Sequence, residues 1–200
     1  MTYHVLIPVK SLSTAKSRLD KYLPRKQLEQ LVLDMLIHVI SVLRNCKEIS
    51  SITIVTPDEQ IKKYVKHFAV DTLLEEKPGH NAALTYAAKH NLLKTNDALL
   101  TISADLPFLK KEDIQQMITL SAKNSIVIAR AKDNGTNAIL MHPALAIPYL
   151  FGKNSFEKYQ QEALKRRISI VAYQSESIAF DIDTFDDYML FKKDLLTISD

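Results

Sequence analysis

Asp181 and Asp183 are separated by a single residue, Ile182. In an extended segment, residues i and i+2 face the same side. Ile182 would then enter the core while both carboxylates point outward together. Two carboxylates held that close repel each other unless a cation lies between them. A further acid, Asp105, follows the apolar run Leu99-Leu100-Thr101-Ile102 and precedes Leu106-Pro107. That places it where a buried strand opens into a stiffened turn. Such a carboxylate suits Mg²⁺, which binds one or two carboxylates plus substrate phosphates. Asp105 reads equally as a turn or helix cap. Asp186 and Asp187 read as acids at a helix start, where the dipole favours them.

The first 26 residues concentrate positive charge: Lys10, Lys16, Arg18, Lys21, Arg25 and Lys26 stand against Asp20 alone. Lys10, Lys16 and Arg18 lie on or beside the hydroxyl-rich stretch Ser11–Ser17. Loops of this kind bind phosphates through backbone N–H groups, lysine point charges and arginine forks. A solvated basic loop is the alternative reading. Neither a Walker sequence nor G-x-G-x-x-G is present.

Glycine occurs only at positions 79, 135 and 152. Gly79 precedes His80 and Asn81, and His80 could touch a ligand there. Gly135 opens Thr136-Asn137-Ala138, where a plain turn glycine would also serve. Gly152 stands three residues before Ser155, which reads as a natural N-cap. A helix N-terminus is also an anion site. No H-x-x-x-H or H-E-x-x-H spacing is present.

The elements that would carry these residues alternate. Tyr3–Val9 reads as a buried strand. Leu28, Leu31, Val32, Met35, Leu36, Val39, Ile40 and Leu43 mark an amphipathic helix with Pro24 near its start. Strands are expected at Ser51–Thr56, Val70–Leu74, Ala98–Ser103, Ser125–Arg130, Asn137–His142 and Ser169–Tyr173. Helices are expected at Asp58–Phe68, Asn81–Leu93, Lys111–Ala122, Ser155–Arg167 and Asp186–Leu195. This alternation implies a mostly parallel α/β sheet covered on both faces. Ligands of such sheets bind at the carboxyl edge of the strands. Lys10 and Asp105 each follow a buried strand, so the fold directs both to one crevice.

The chain is 200 residues long with a net charge of +3, which fits a single domain spanning residues 1–200. It has neither a basic stripe nor a pattern of aromatic platforms, so a nucleic-acid partner is not expected. No apolar run is long enough for a membrane span, and the N-terminus lacks a secretory signal pattern. Cys46 is the sole cysteine, which excludes an internal disulfide and a thiolate cluster and makes a reducing cytoplasm the default.

Seven motifs occur in order: Ile7-Pro8-Val9-Lys10, Ala15-Lys16-Ser17-Arg18-Leu19, Gly79-His80-Asn81-Ala82-Ala83, Ala104-Asp105-Leu106-Pro107, Gly135-Thr136-Asn137-Ala138, Phe151-Gly152 with Ser155-Phe156, and Asp181-Ile182-Asp183-Thr184. Together they resemble the 2-phospho-L-lactate guanylyltransferase family, which acts in biosynthesis of the deazaflavin coenzyme F420. The resemblance covers nearly the whole chain. It implies a glycosyltransferase-A-like nucleotidyltransferase fold. It also implies joining of GMP from GTP to 2-phospho-L-lactate, phosphoenolpyruvate or 3-phosphoglycerate, with release of pyrophosphate. Carried over by motif, Asp105, Asp181 and Asp183 would hold Mg²⁺ or Mn²⁺, and Lys10, Lys16 and Arg18 would face the triphosphate. Together with Asp105, these three cations form the expected catalytic group. Gly79, His80 and Asn81 would lie near the nucleoside, and Thr136, Gly152 and Ser155 would hold the acceptor. Tyr159 stands where histidine is common in the family, one turn into the acceptor-side helix. The expected partners are GTP and a small phospho-carboxylate. A homodimer is compatible with a sequence that is otherwise silent on assembly. The alternatives are a cytidylyl- or molybdopterin-type transferase on the same fold and a non-catalytic nucleotide-binding module. The first usually carries a glycine-rich start, where this chain has Ile7-Pro8-Val9-Lys10.

Overall fold

The computed structural model describes residues 2–75, 79–90 and 97–197, with side chains through residue 194. The chain alternates strands and helices. The first half holds β1 (Tyr3–Pro8), α1 (Arg25–Arg44), β2 (Ile49–Thr56), α2 (Glu59–Val65), β3 (Asp71–Leu74), α3 (His80–His90) and β4 (Ala98–Ile102). The second half holds α4 (Lys111–Ser121), β5 (Ile126–Arg130), β6 (Thr136–Met141), α5 (Ser155–Arg166), β7 (Ile170–Tyr173), α6 (Glu176–Ala179) and α7 (Phe185–Thr197). The last three residues expected in the third helix, Asn91–Leu93, lie outside the described residues.

The strands form one seven-stranded sheet in the order β3-β2-β1-β4-β6-β5-β7. Every neighbouring pair is parallel except those of β6, which runs antiparallel to both β4 and β5. The sheet is therefore mostly parallel, as the alternation predicts. Alternate residues of its buried strands enter opposite cores. Val5 and Ile7 join Leu36, Val39, Ile40, Ile61, Ile114 and Ile178, so α1, α2, α4 and α6 cover one face. Leu6 and Leu99 join Leu84, Ala87, Phe156 and Tyr159, so α3 and α5 cover the other.

Helix α1 follows its apolar periodicity closely. Its residues Leu28, Leu31, Val32, Met35, Leu36, Val39, Ile40 and Leu43 are all buried. Pro24 precedes the helix at φ −57°, where its missing N–H costs no hydrogen bond. The same helix contributes Leu28, Leu31 and Met35 to a small third cluster with Leu19 and Ile182. Among the described residues, no helix is long and apolar enough to cross a membrane.

The reversed strand brings a second set of residues to the ligand edge. Because β6 runs against its neighbours, its first residues lie where the parallel strands end. The Ser103 amide donates to Asn137 O at 2.8 Å, and Thr136 pairs with Arg130 at the end of β5.

Candidate active site

The loop after β1 is tied down from three sides. The Asp58 carboxylate accepts from Leu12 N at 2.8 Å and Ser11 Oγ at 2.9 Å. It also caps α2 through Gln60 N at 2.8 Å. These donors outweigh the effect of burial and hold its pKa below the usual carboxylate range. The Arg25 guanidinium donates to Leu12 O, to Ala15 O at 2.6 Å and to Asp20 Oδ1 at 2.8 Å. Ser11 O accepts from Thr14 and Ala15 N. Sequence spacing reveals neither Asp58 nor Arg25, since each works across the chain rather than within a motif.

This bracing sets Lys16, which takes a left-handed backbone at φ 57°. A non-glycine residue there costs of order 1 kcal/mol and persists only where its surroundings enforce it. The Lys16 side chain is 8% exposed, and its Nζ donates to Asp105 Oδ2 at 2.5 Å and Asp183 Oδ1 at 3.0 Å. Burial disfavours the ammonium. The two carboxylates outweigh that and hold its pKa above the ordinary lysine value. Lys10 and Arg18 remain exposed, and Arg18 Nη1 reaches Asp183 Oδ2 at 3.5 Å.

The acidic segment has the geometry that its i, i+2 spacing predicts. Ile182 is fully buried in the third cluster, and Asp181 and Asp183 flank it. Asp105, Asp181 and Asp183 each offer one oxygen, all within 4.8 Å of one another. Asp105 therefore faces other side chains here and does not cap its turn. Asp181 Oδ1 is buried without a hydrogen-bond partner. Burial, then the charges of Asp105 and Asp183, push the Asp181 pKa up to about 6. Asp183 goes the other way: burial would raise it, but Lys16 and then Arg18 and Lys132 hold it low. A divalent cation fits this donor set, because it would satisfy the orphaned oxygen and relieve the crowding of like charge.

Lys132, which the sequence does not single out, supports the acidic segment. Its Nζ donates to Asp181 O and to Asp187 Oδ1, both at 2.5 Å. Asp187 behaves as the expected cap, accepting from Asp183 N at 3.0 Å and from Thr184 N at 2.7 Å. Asp186 is exposed.

The Gly79 and Gly152 motifs meet on the α3–α5 face, and Thr136 of the Gly135 motif joins them through Ser155. Thr136 and Ser155 are buried, and Ser155 Oγ donates to Thr136 Oγ1 at 2.9 Å. Ser155 is thus not the N-cap its sequence suggests. Asn154 holds that position in a left-handed backbone, and Ser155 begins the helix. Gly152 is exposed at φ 125°, a conformation that only glycine adopts without strain. Gly135 serves as a turn residue, its N–H bonded to Asp133 Oδ1 at 2.8 Å. Gly79 precedes α3 at φ 110°, and its carbonyl accepts from Ala83 N. His80 stacks edge-on against Phe151 at 5.4 Å. Partial burial and then the Lys10 charge lower its pKa.

Asn81 grips the backbone of Phe151. Its Nδ2 donates to Phe151 O at 3.1 Å and its Oδ1 accepts from Phe151 N at 3.0 Å. Tyr159 is fully buried, and its hydroxyl accepts from Leu150 N at 2.9 Å. It anchors the segment before Gly152.

Comparison with known proteins places the chain in a family. The family model described as guanylyl transferase CofC like covers residues 3–192. A phosphoenolpyruvate guanylyltransferase of Thermobaculum terrenum is 35% identical, over 94% of this chain and 82% of that protein. A 2-phospho-L-lactate guanylyltransferase of Methanocaldococcus jannaschii is 30% identical, over 92% and 79%. A 3-phospho-D-glycerate guanylyltransferase of Colwellia psychrerythraea is 30% identical, over 95% and 91%. Among solved structures, a nucleotidyl transferase from Methanothermobacter thermautotroptrophicus superposes with a TM-score of 0.72 at 13% identity, over 98% and 99% of the two chains. The fold is that of the nucleotide-diphospho-sugar transferases, and the chain belongs to the CofC-like guanylyltransferase family.

Proposed function

We propose that this chain is a divalent-metal-dependent guanylyltransferase. It joins GMP from GTP to a small phosphorylated carboxylic acid and releases pyrophosphate, in biosynthesis of the deazaflavin coenzyme F420. The observation that carries this reading is the convergence of Asp105, Asp181 and Asp183 around Lys16 at the carboxyl edge of the sheet. Family membership and the activities named for the relatives supply the nucleotide and the acceptor class.

The chemistry follows from charge. An oxygen of the acceptor's phosphate attacks the α-phosphorus of GTP. The bond from that phosphorus to the bridging α–β oxygen breaks, and pyrophosphate leaves with the electron pair. A phosphate is already anionic near neutrality, so no strong general base is required. What remains is positioning and charge neutralisation. Lys16, with Lys10 and Arg18 beside it, faces the triphosphate. Gly79 and His80 border the nucleoside, while Thr136, Gly152 and Ser155 receive the acceptor. Asp105, Asp181 and Asp183 would hold Mg²⁺ or Mn²⁺, which would supply neutralisation of phosphate charge. The reaction is cytoplasmic and involves small molecules only.

The test is a coupled pyrophosphate assay across the four nucleoside triphosphates and the three acceptors, with and without chelator. GTP should be the productive nucleotide with at least one acceptor, and chelation should stop release. A chain that releases no pyrophosphate from any pair would overturn the assignment.

A further inference from the structure

The segment Tyr149–Gly152 runs along the α3–α5 face, and each of its first three residues is anchored. Tyr149 is buried, with its hydroxyl 2.6 Å from Thr101 Oγ1 on β4. Leu150 N donates to the buried Tyr159 hydroxyl of α5. Phe151 has both its amide and its carbonyl bound by the half-buried side chain of Asn81, in the first turn of α3. The Phe151 ring then packs near Tyr149, Tyr159 and His80, at 5.8, 5.7 and 5.4 Å. The chain continues into Gly152, whose carbonyl accepts from Ser155 N at 3.0 Å.

An asparagine amide matches a peptide group in donor and acceptor, and a pair made this way uses both polar atoms of the side chain. Asn81 is seventy residues away in sequence from the residue it grips. Asn81 thereby ties each polar atom of its amide to the Phe151 backbone. Its effect falls on Gly152, one residue beyond Phe151.

We propose that Asn81 is a positioning residue for the acceptor pocket. It fixes the Phe151 backbone, and through it the orientation of Gly152 toward Ser155 and Thr136. This inference rests on the guanylyltransferase reading above. It also makes α3 and the acceptor segment one body.

The experiment compares Asn81→Ala and Asn81→Asp with the wild type in steady-state pyrophosphate release, varying GTP and acceptor in turn. A fluorescent GTP analogue is titrated in the absence of acceptor. Loss of two neutral hydrogen bonds should raise the acceptor KM roughly 10- to 30-fold in Asn81→Ala, with GTP KM and analogue affinity within about twofold of wild type. Asn81→Asp keeps the acceptor for Phe151 N and should fall between the two. It also carries the test if Asn81→Ala does not fold. Hydrogen exchange should show faster exchange of the Phe151 amide in Asn81→Ala. A raised GTP KM with an unchanged acceptor KM would overturn this inference while leaving the guanylyltransferase reading intact. A wild type inert toward every nucleotide and acceptor pair would remove that reading, and the acceptor role with it.

Discussion

The acidic end and the glycine end of the site are built on opposite principles. At the acidic end, Asp105, Asp181 and Asp183 crowd like charge around a single buried ammonium, and one carboxylate oxygen is left without a hydrogen bond. At the glycine end, Thr136, Ser155, Asn81 and Tyr159 are neutral, and each makes at least one hydrogen bond to protein. Buried charges without full compensation are costly and mark places where something else must bind. Satisfied neutral networks hold geometry and need nothing further. The first end is thus suited to holding a cation that can meet a polyanion, the second to holding the shape of a pocket.

The largest expected effect breaks the acidic end. Asp181→Asn should lower turnover by about a thousandfold or more, since loss of metal stabilisation is worth several kcal/mol at about 1.36 kcal/mol per decade. A variant that kept most of the pyrophosphate release of the wild type would erase the contrast.

The same substitution should stabilise the protein in chelator at pH 7.5, by about 1–3 kcal/mol. The sign follows from a pKa raised from 3.8 to about 6. The folded state binds the proton more tightly than the unfolded one, so ionised Asp181 weakens the fold above that pH. The penalty fades as pH falls through 6 and is gone below the unfolded value. Thermal melts of both proteins between pH 4 and 8 would check it. A difference independent of pH would refute the electrostatic account.

At the glycine end, Thr136→Val should raise the acceptor KM about tenfold and lower stability by about 1 kcal/mol, because Ser155 loses its hydroxyl partner. Kinetics combined with urea melts would show it. An effect confined to GTP would contradict the division of labour.

The smallest change is expected from Asp58→Ala, which releases Leu12 N and Ser11 Oγ and uncaps α2. A loss of about 1 kcal/mol and a few-fold rise in GTP KM should follow. Both should be smaller than the changes at Asp181, and a larger GTP effect here would place the loop above the carboxylates in importance.

Much of this is legible in the sequence, unevenly. The i, i+2 spacing of Asp181 and Asp183 around Ile182 requires only the geometry of an extended chain, and it holds. The periodicity of α1 is equally clear, since propensity and burial agree over twenty residues. The direction of β6 is not legible, because a buried strand is apolar throughout whichever way it runs. The four-residue α6 is too short to leave a periodic signature. Ser155 has the right type for an N-cap, but a tertiary partner, Thr136, takes its hydroxyl. Asn81 and Lys132 act across long sequence separations on backbone atoms, which no local pattern encodes.

The reversed direction of β6 has a consequence for how such an enzyme could be altered. Because β6 starts at the ligand edge and is followed by α5, the proposed acceptor residues Thr136, Gly152 and Ser155 come from one unbroken stretch. Lys10, Lys16, Arg18, Asp105, Asp181 and Asp183 all lie outside it. Residues 135–167 therefore form a cassette, paired in the sheet with β4 and β5 and joined to α3 through Asn81. Exchanging that cassette between relatives of different acceptor choice would alter what is guanylylated without disturbing the charged apparatus that activates the nucleotide.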